Sequence, residues 1–221
     1  MSILFKFLSV MLTFPMLYVA MDTNLVIKKD LKILIVGNSI LKNEPAPEIG
    51  WNGNWGMAAK TENADFLHIY KNLLERTKRY NSVDIKFKNI STWENDFNYD
   101  LHQYDDFKSN DYDILVIRLG ENVTNNSKYY LALNKMINYF KTKDTKVIIT
   151  GIIWENGEKE SIQKKVAVDN GYHYIPFKVF RANSANFAYG LYSNKLVAAH
   201  PSDTGMLLIA QLLFNKTIDI E

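Results

Sequence analysis

A serine follows directly after a short apolar run near the start of the chain, and a histidine lies close to the other end. The run is residues 32–36, the turn is Gly37-Asn38-Ser39, and the histidine is His200, which is followed by Pro201. A side chain on a small-residue turn after a buried strand lies at the carboxyl edge of a parallel sheet, where open α/β sheets bind ligands. A serine and a histidine that meet there can carry out nucleophilic acyl transfer. Gly-Asn-Ser alone is a weak signal, because such residues fill ordinary turns.

Apolar, β-branched runs alternate with amphipathic segments along the rest of the chain. Nearly continuous Ile, Val and Leu runs are typical of parallel strands covered on both faces, and apolar residues at a 3.6-residue period predict helices. This alternation predicts one domain with a doubly wound, five-stranded parallel sheet. The predicted strands are 32–36, 83–90, 114–119, 146–153 and 172–175, and the predicted helices are 58–78, 129–139, 158–170 and one that starts after Pro201-Ser202-Asp203. We expect Leu131, Leu207 and Leu212 to belong to the apolar faces of these helices.

The composition excludes several classes of protein. The 221 residues are 47% hydrophobic, enough for one domain, and the net charge of +2 with no basic tract gives no support for nucleic-acid binding. The absence of cysteine excludes disulfides, a thiol nucleophile and thiolate metal sites. The four histidines lack metal-ligand spacing, and neither a G-x-G-x-x-G nor a GK[ST] loop is present. We therefore expect no metal and no organic cofactor.

The first 24 residues are set apart from the domain, which begins near residue 30. Residues 7–21 are apolar apart from Ser9, Thr13 and Pro15, and Lys6 precedes them. This length suits a signal-peptide core better than a membrane span of ~20 residues. We expect an export signal or a short membrane anchor, and hence a periplasmic, extracellular or envelope-anchored protein. The alternative is an apolar helix packed on the domain.

Four short blocks fall in order on one side of the predicted sheet. They are Gly37-Asn38-Ser39-Ile40, Asn89-Ile90-Ser91, Gly120-Glu121-Asn122 and His200-Pro201. Together they resemble the blocks of the SGNH superfamily of hydrolases, also called GDSL-type esterases, which read Gly-Asp-Ser-Leu, a glycine, Gly-x-Asn-Asp and Asp-x-x-His-Pro. The resemblance covers the chain after residue 30 and implies a flavodoxin-like, three-layer α/β/α fold. The Trp-rich loop of residues 50–59 also resembles a bacterial subgroup linked by analogy to carbohydrate esters.

The resemblance implies a role for each block. Ser39 corresponds to the nucleophile and His200 to the general base, whereas the backbone N–H groups of Ser39 and Ser91 and the side-chain amide of Asn122 form the oxyanion hole. Such an enzyme is a carboxylic ester hydrolase, and we expect it to remove a small acyl group, acetyl first of all, from a small-molecule or polysaccharide ester. The structural alternative for Ser39 and Asn122 is an ordinary turn residue, and for His200 a histidine satisfied in the core or at the surface.

This sequence departs from the family pattern at several positions. Asn38 and Val123 replace aspartates, Ser91 replaces a glycine, and Val197 occupies the position of the triad aspartate three residues before His200. A histidine base needs a partner on its second ring nitrogen, which holds the ring and stabilises the imidazolium.

Two kinds of group could replace the missing aspartate. We prefer a backbone carbonyl near Val197, which would make a Ser-His dyad. The alternative is a carboxylate from Glu121, Glu155 or Asp203, although Asp203 at the start of the last helix reads more simply as its N-cap.

Several polar and aromatic residues near the predicted site are candidate substrate contacts. Asn38 is one, and Trp51, Trp55 and Trp154 are others, because indole rings stack on sugar faces. For Trp51 and Trp55 stacking and loop packing are equally compatible with the sequence, whereas packing is favoured for Trp93 and Trp154.

Arg118 lies on an otherwise apolar predicted strand. We expect it to pair with a carboxylate such as Glu121; contact with an acidic substrate is the alternative.

Two other functions are compatible with the same residues. One is transfer of the acyl group to a second sugar. The other is a non-catalytic carbohydrate-binding protein that retains the fold, which the missing aspartates would favour and the retained Ser39, Asn122 and His200 oppose.

Overall fold

The computed structural model describes residues 28–108 and 111–221. Its five strands are all parallel and lie in the order β2-β1-β3-β4-β5. The strands are β1 (Leu31–Gly37), β2 (Val83–Asn89), β3 (Ile114–Arg118), β4 (Lys146–Thr150) and β5 (His173–Ile175). The predicted doubly wound sheet is confirmed. The export signal or anchor predicted in residues 1–24 lies outside the described residues.

Helices cover both faces of the sheet. The α-helices are α1 (Phe66–Arg76), α2 (Ser91–Asn95), α3 (Asp105–Lys108), α4 (Asn126–Phe140), α5 (Gly157–Asn170), α6 (Lys178–Arg181), α7 (Lys195–Ala198) and α8 (Asp203–Ile220). Short 3-10 helices cover Pro47–Ile49, Glu62–Ala64, Leu101–Tyr104 and Ser184–Asn186. Within the described residues, none of these helices combines the length and the apolar character needed to cross a membrane.

Side-chain alternation along β1 divides the core into two layers. Ile33 and Ile35 pack on the side of α1 and α8, whereas Leu34 and Val36 pack on the side of α4 and α5. Because β1 is buried on both faces, its sequence is a continuous apolar run rather than an alternating one.

Strand register aligns the ends from which the predicted site residues emerge. Gly37, at the end of β1, pairs with Asn89 of β2 on one side and with Arg118 of β3 on the other. β1 is also where the strand order reverses, and open α/β sheets bind ligands outside the carboxyl ends of the strands at such a point. The loops that carry Ser39, Ser91 and Asn122 therefore leave the sheet side by side.

Two predicted helix starts and one predicted cap are wrong. One of the starts is that of α4, which begins at Asn126 rather than residue 129. The first helix begins at Phe66 rather than residue 58, because Ala58 has a φ of 73° and Asp65 caps the helix by accepting a hydrogen bond from the His68 N–H. The cap of α8 is Ser202, whose hydroxyl accepts from the Gly205 N–H, and not Asp203.

Two of the three leucines expected on apolar helix faces are exposed. Leu131 is 73% exposed and Leu207 is 41% exposed, whereas Leu212 is half-buried and packs against the core. In α8 the buried positions follow the i, i+3, i+4, i+7 spacing of one helical face, and Leu207 lies just outside that face. The buried positions are Met206, Ile209, Ala210 and Leu213.

Candidate active site

The turn after β1 places Ser39 above the end of the sheet. The Asn38 carbonyl accepts hydrogen bonds from the Leu41 and Lys42 N–H groups, which closes the turn. A side chain at Gly37 would meet the Leu41 Cβ at 2.7 Å, so the chain can turn this tightly only over a glycine. Ser39 is half-buried, in contrast to the fully buried Asn38.

Ser39 and His200 are 161 positions apart in the chain and meet in the fold. The Ser39 Oγ lies 2.8 Å from the His200 Nε2, and His200 is only 6% exposed. The backbone holds His200 in place, since its N–H donates to the Val197 carbonyl and its carbonyl accepts from the Ala188 N–H. A hydroxyl and an imidazole at this distance can exchange a proton.

A backbone carbonyl orients the imidazole. The His200 Nδ1 lies 2.7 Å from the Leu196 carbonyl oxygen, which can only accept, so Nδ1 carries the proton and Nε2 is free to accept from Ser39. This is the tautomer that a general base requires. Burial lowers the pKa of His200, and the hydrogen bond to Leu196 and the charge of Glu121 partly oppose that effect. His200 is therefore uncharged, and ready to accept a proton, around neutral pH.

None of the three carboxylates proposed as a partner for His200 bonds to it. Glu121 bonds to Arg118 and Asn38. Glu155 is exposed, and Asp203 accepts from the Lys60 N–H at 2.9 Å.

The predicted oxyanion donors differ in whether a hydrogen bond within the protein already engages them. One hydrogen of the Asn122 side-chain amide is donated to the Glu94 Oε2 at 2.8 Å, which leaves the second hydrogen of that amide. The Ser91 N–H donates to the Asn89 Oδ1 at 2.9 Å. In this structure the Ser91 N–H is therefore engaged with Asn89, whereas the predicted role as an oxyanion donor requires it to be free.

Glu94 belongs to this site and was missed by the sequence analysis. Its carboxylate is buried and accepts from the Gly120 N–H at 2.6 Å as well as from Asn122. Burial, followed by the nearby charge of Glu121, raises the pKa of Glu94 to about 7. The sequence around Glu94 indicates a different role. Ser91-Thr92-Trp93-Glu94 matches a helix capping box, in which the glutamate bonds to the start of its own helix, but α2 has no side-chain cap.

Asn38 bridges two buried carboxylates. Its Nδ2 donates to the Glu121 Oε2 at 2.9 Å and to the Glu94 Oε1 at 3.4 Å, and its Oδ1 accepts from the Ile40 N–H. Asn38, a candidate substrate contact in the sequence, is thus fully buried with both ends of its amide engaged within the protein.

The expected pairing of Arg118 with Glu121 is present. Their side chains are buried and 2.8 Å apart, and the guanidinium lies over the Phe177 ring at 5.1 Å. The Ile153 N–H also donates to Glu121. One of the two buried carboxylates is thus neutralised by a cation, and the other is held by N–H donors alone.

The tryptophans pack within the protein. Trp51 is 3% exposed, lies edge-on to Trp55, and donates to the Asn43 carbonyl, so of the two roles left open by the sequence this geometry favours loop packing. Trp55 donates to the Ala59 carbonyl. Trp154 lies perpendicular to the His200 ring at 5.7 Å and donates to the Ala199 carbonyl; its half-buried ring is the one next to the reacting groups.

Trp93 is buried as expected. Within residues 28–108 and 111–221, no group of three or more His, Asp or Glu side chains is arranged to hold a metal ion.

Solved structures share this fold, although no protein-family model and no curated protein matches the chain. A protein described as a GDSL-like lipase from Parabacteroides merdae superposes with a TM-score of 0.56 at 18% identity, over 84% of this chain and 94% of its own. TesA superposes with a TM-score of 0.54 at 13% identity, over 83% and 96%. A two-domain esterase active on acetylated mannans gives 0.54 at 14% identity over 89% of this chain, which spans about half (51%) of that protein. The chain has the fold of the SGNH, or GDSL-type, hydrolases.

A first prediction concerns the partner of the histidine. Because the Leu196 carbonyl orients the ring, Glu155→Ala and Asp203→Ala should each keep the hydrolysis rate of an activated ester within ~3-fold of wild type, whereas His200→Ala should lose at least ~10³-fold. The measurement is the steady-state rate with p-nitrophenyl acetate. A loss in either carboxylate variant close to that of His200→Ala would contradict orientation by the carbonyl.

A second prediction concerns the amide between the carboxylates. Asn38→Asp restores the aspartate of the family pattern but places a third carboxylate beside Glu94 and Glu121. It should lower the free energy of unfolding at pH 8 by about 3 kcal/mol or more. The loss should be smaller at pH 5, where Glu94, with a pKa of about 7, is protonated. Urea unfolding of wild type and Asn38→Asp at both pH values measures this difference in the free energy of unfolding.

The matched control is Asn52→Asp, an exposed asparagine in the loop that follows the same turn, for which we expect a change within ~0.5 kcal/mol. An equal loss of stability for Asn38→Asp at pH 5 and pH 8 would show that charge repulsion is not the cause.

Proposed function

We propose that this protein is a serine esterase that hydrolyses small acyl esters, with Ser39 as nucleophile and His200 as general base. The observation that carries the proposal is the 2.8 Å contact between the Ser39 Oγ and a His200 Nε2 whose ring is held through Nδ1 by the Leu196 carbonyl. A nucleophile, a base within hydrogen-bond reach and a group that orients the base are the parts that acyl transfer requires.

The proposed reaction has two halves. The Ser39 Oγ attacks the ester carbonyl carbon while its proton moves to the His200 Nε2, and the carbonyl oxygen becomes an oxyanion. As the intermediate collapses, His200 returns the proton to the leaving alcohol and an acyl-Ser39 remains. Water then attacks this ester by the same route, with His200 again taking and returning a proton. The steps use no metal and no organic cofactor.

The proposed oxyanion donors are the Ser39 N–H and the second hydrogen of the Asn122 amide. The Ser91 N–H would join them only by giving up its bond to Asn89. A donor of this kind typically contributes ~3 kcal/mol to transition-state stabilisation.

The proposed substrate is an acetyl ester of a carbohydrate. An esterase with this fold is active on acetylated mannans, and the loop of residues 50–59 resembles a subgroup linked to carbohydrate esters. An export signal in residues 1–24 would deliver the enzyme to the cell envelope or beyond, where such polysaccharides occur.

A third prediction tests the nucleophile. The wild-type protein should release p-nitrophenol from p-nitrophenyl acetate and be labelled by an organophosphonate at Ser39. Ser39→Ala should lower the rate at least ~10³-fold, because the remaining donors and binding groups supply only part of the acceleration. Ser161→Ala, at an exposed position of α5, is the matched control. Equal rates for wild type and Ser39→Ala would overturn the esterase proposal.

A fourth prediction distinguishes water from a sugar as the final acceptor of the acyl group. Incubation with acetylated mannan and an unacetylated oligosaccharide should release free acetate, and Ser39→Ala should release none. Acetate and acetylated oligosaccharide are quantified together by mass spectrometry. Acetyl groups found on the added oligosaccharide without free acetate would establish a transferase instead, and oligosaccharide binding without either product would favour a non-catalytic carbohydrate-binding protein.

A further inference from the structure

The Glu94 side chain connects two loops of the site. It belongs to the short helix α2 after β2, yet its carboxylate bonds to the loop after β3, which is 26 to 28 positions further along the chain. It is 1% exposed. The reaction proposed above assigns it no part, since it neither contacts Ser39 nor bonds to His200.

Each polar contact of this carboxylate is with a donor. Oε2 accepts from the Asn122 Nδ2 at 2.8 Å, and Oε1 accepts from the Gly120 N–H at 2.6 Å. Longer contacts of 3.4 Å join Oε1 to the Asn122 N–H and the Asn38 Nδ2. A carboxylate whose neighbours are all donors is favoured in its ionised form. A proton added to either oxygen would face the hydrogen of a neighbouring N–H group.

The Asn122 amide is planar, so fixing one of its hydrogens fixes the other. With one hydrogen on the Glu94 Oε2, the amide presents its second N–H in a single direction, and the backbone contacts to Gly120 and Asn122 hold the loop that carries it. Oxyanion donors contribute most when their direction is set before the reaction.

We infer that Glu94 is a positioning residue, which in its ionised form locks the Asn122 side chain as an oxyanion donor. The inference rests on the proposed esterase function. Glu94 itself touches neither the substrate nor the reacting atoms; it acts through Asn122. A proton on Glu94 removes the acceptor from the Asn122 amide and favours rotation of that amide, which then presents oxygen instead of N–H.

The charged and titratable groups around Glu94 define its pH dependence. Glu121, from the loop after β3, disfavours its ionisation, and burial does so more strongly, which together place its pKa at about 7. Arg118 of β3 is paired with Glu121, and Tyr129 of α4, whose pKa burial raises, stays neutral. Burial moves the pKa of His200 in the opposite direction, below its usual value. The positioning residue therefore titrates at a higher pH than the general base.

The kinetic test is Glu94→Gln, with Glu75→Gln on the exposed side of α1 as the matched control. With p-nitrophenyl acetate, and with active sites counted by organophosphonate labelling, Glu94→Gln should lower kcat ~10²-fold and leave KM within twofold. The acid limb of kcat/KM, near pH 7 in the wild type, should move to the lower pH set by His200. In an Asn122→Ala background, Glu94→Gln should have no further effect, because the two residues act as a unit.

A purely structural role for Glu94 would lower the number of labelled sites but leave the kcat per site and the acid limb unchanged. Such an unchanged kcat per site and acid limb would overturn the inference. So would additive losses in the double variant, and so would an activity that increases as Glu94 becomes protonated.

A second measurement needs no variant of Glu94 and no activity. The side-chain amide resonances of Asn122, assigned by comparison with Asn122→Asp, should titrate near pH 7 in the wild-type protein. If they do not titrate, the link between Glu94 and Asn122 is refuted. Loss of the esterase proposal, by contrast, would appear as wild-type hydrolysis that does not depend on Ser39, whatever the amide resonances show.

Discussion

Two carboxylates buried beneath the turn that carries Ser39 impose the constraint on which the site depends. Glu94 and Glu121 lie close enough for the charge of one to raise the pKa of the other. Ionised groups in this position must be surrounded by donors or cations, since an uncompensated buried charge costs several kcal/mol. The donors are supplied from the ends of different strands: Asn38 after β1, Arg118, Gly120 and Asn122 at and after β3, and Ile153 after β4. The same bonds that satisfy the carboxylates fix the loops of the site relative to one another.

This constraint explains the departure from the family pattern beside the nucleophile. An aspartate at position 38 would be a third carboxylate next to two others, whereas the amide of Asn38 donates to both. An asparagine at this position therefore fits the two buried carboxylates better than an aspartate would.

The departure before His200 has a different physical reason. The Val197 side chain is fully buried in an apolar cluster with Trp51, Met57, Ala58 and Ala188, where a carboxylate would be unpaired. The cluster anchors α7 against the loop of residues 50–59, and Asn194 caps that helix. The carbonyl of Leu196 is thereby held 2.7 Å from the His200 Nδ1. The buried cluster that includes Trp51 thus holds the helix whose Leu196 carbonyl orients the His200 ring.

The sequence alone determined the parallel sheet and the edge at which Ser39, Asn122 and His200 gather, whereas the flavodoxin-like strand order was implied by the resemblance to the SGNH hydrolases. Strands buried on both faces must be continuous apolar runs, and parallel strands place their carboxyl ends at one edge. Element boundaries were less well determined, because a positive φ at Ala58, which no periodicity encodes, excludes a helix there, and α1 begins only after the Asp65 cap. Only the tertiary structure decided which polar residues face the interior. Glu94 resembles a capping residue and Asn38 an exposed turn residue, but both are buried because carboxylates and donors distant in sequence satisfy one another, and such pairing exists only once the strands are assembled.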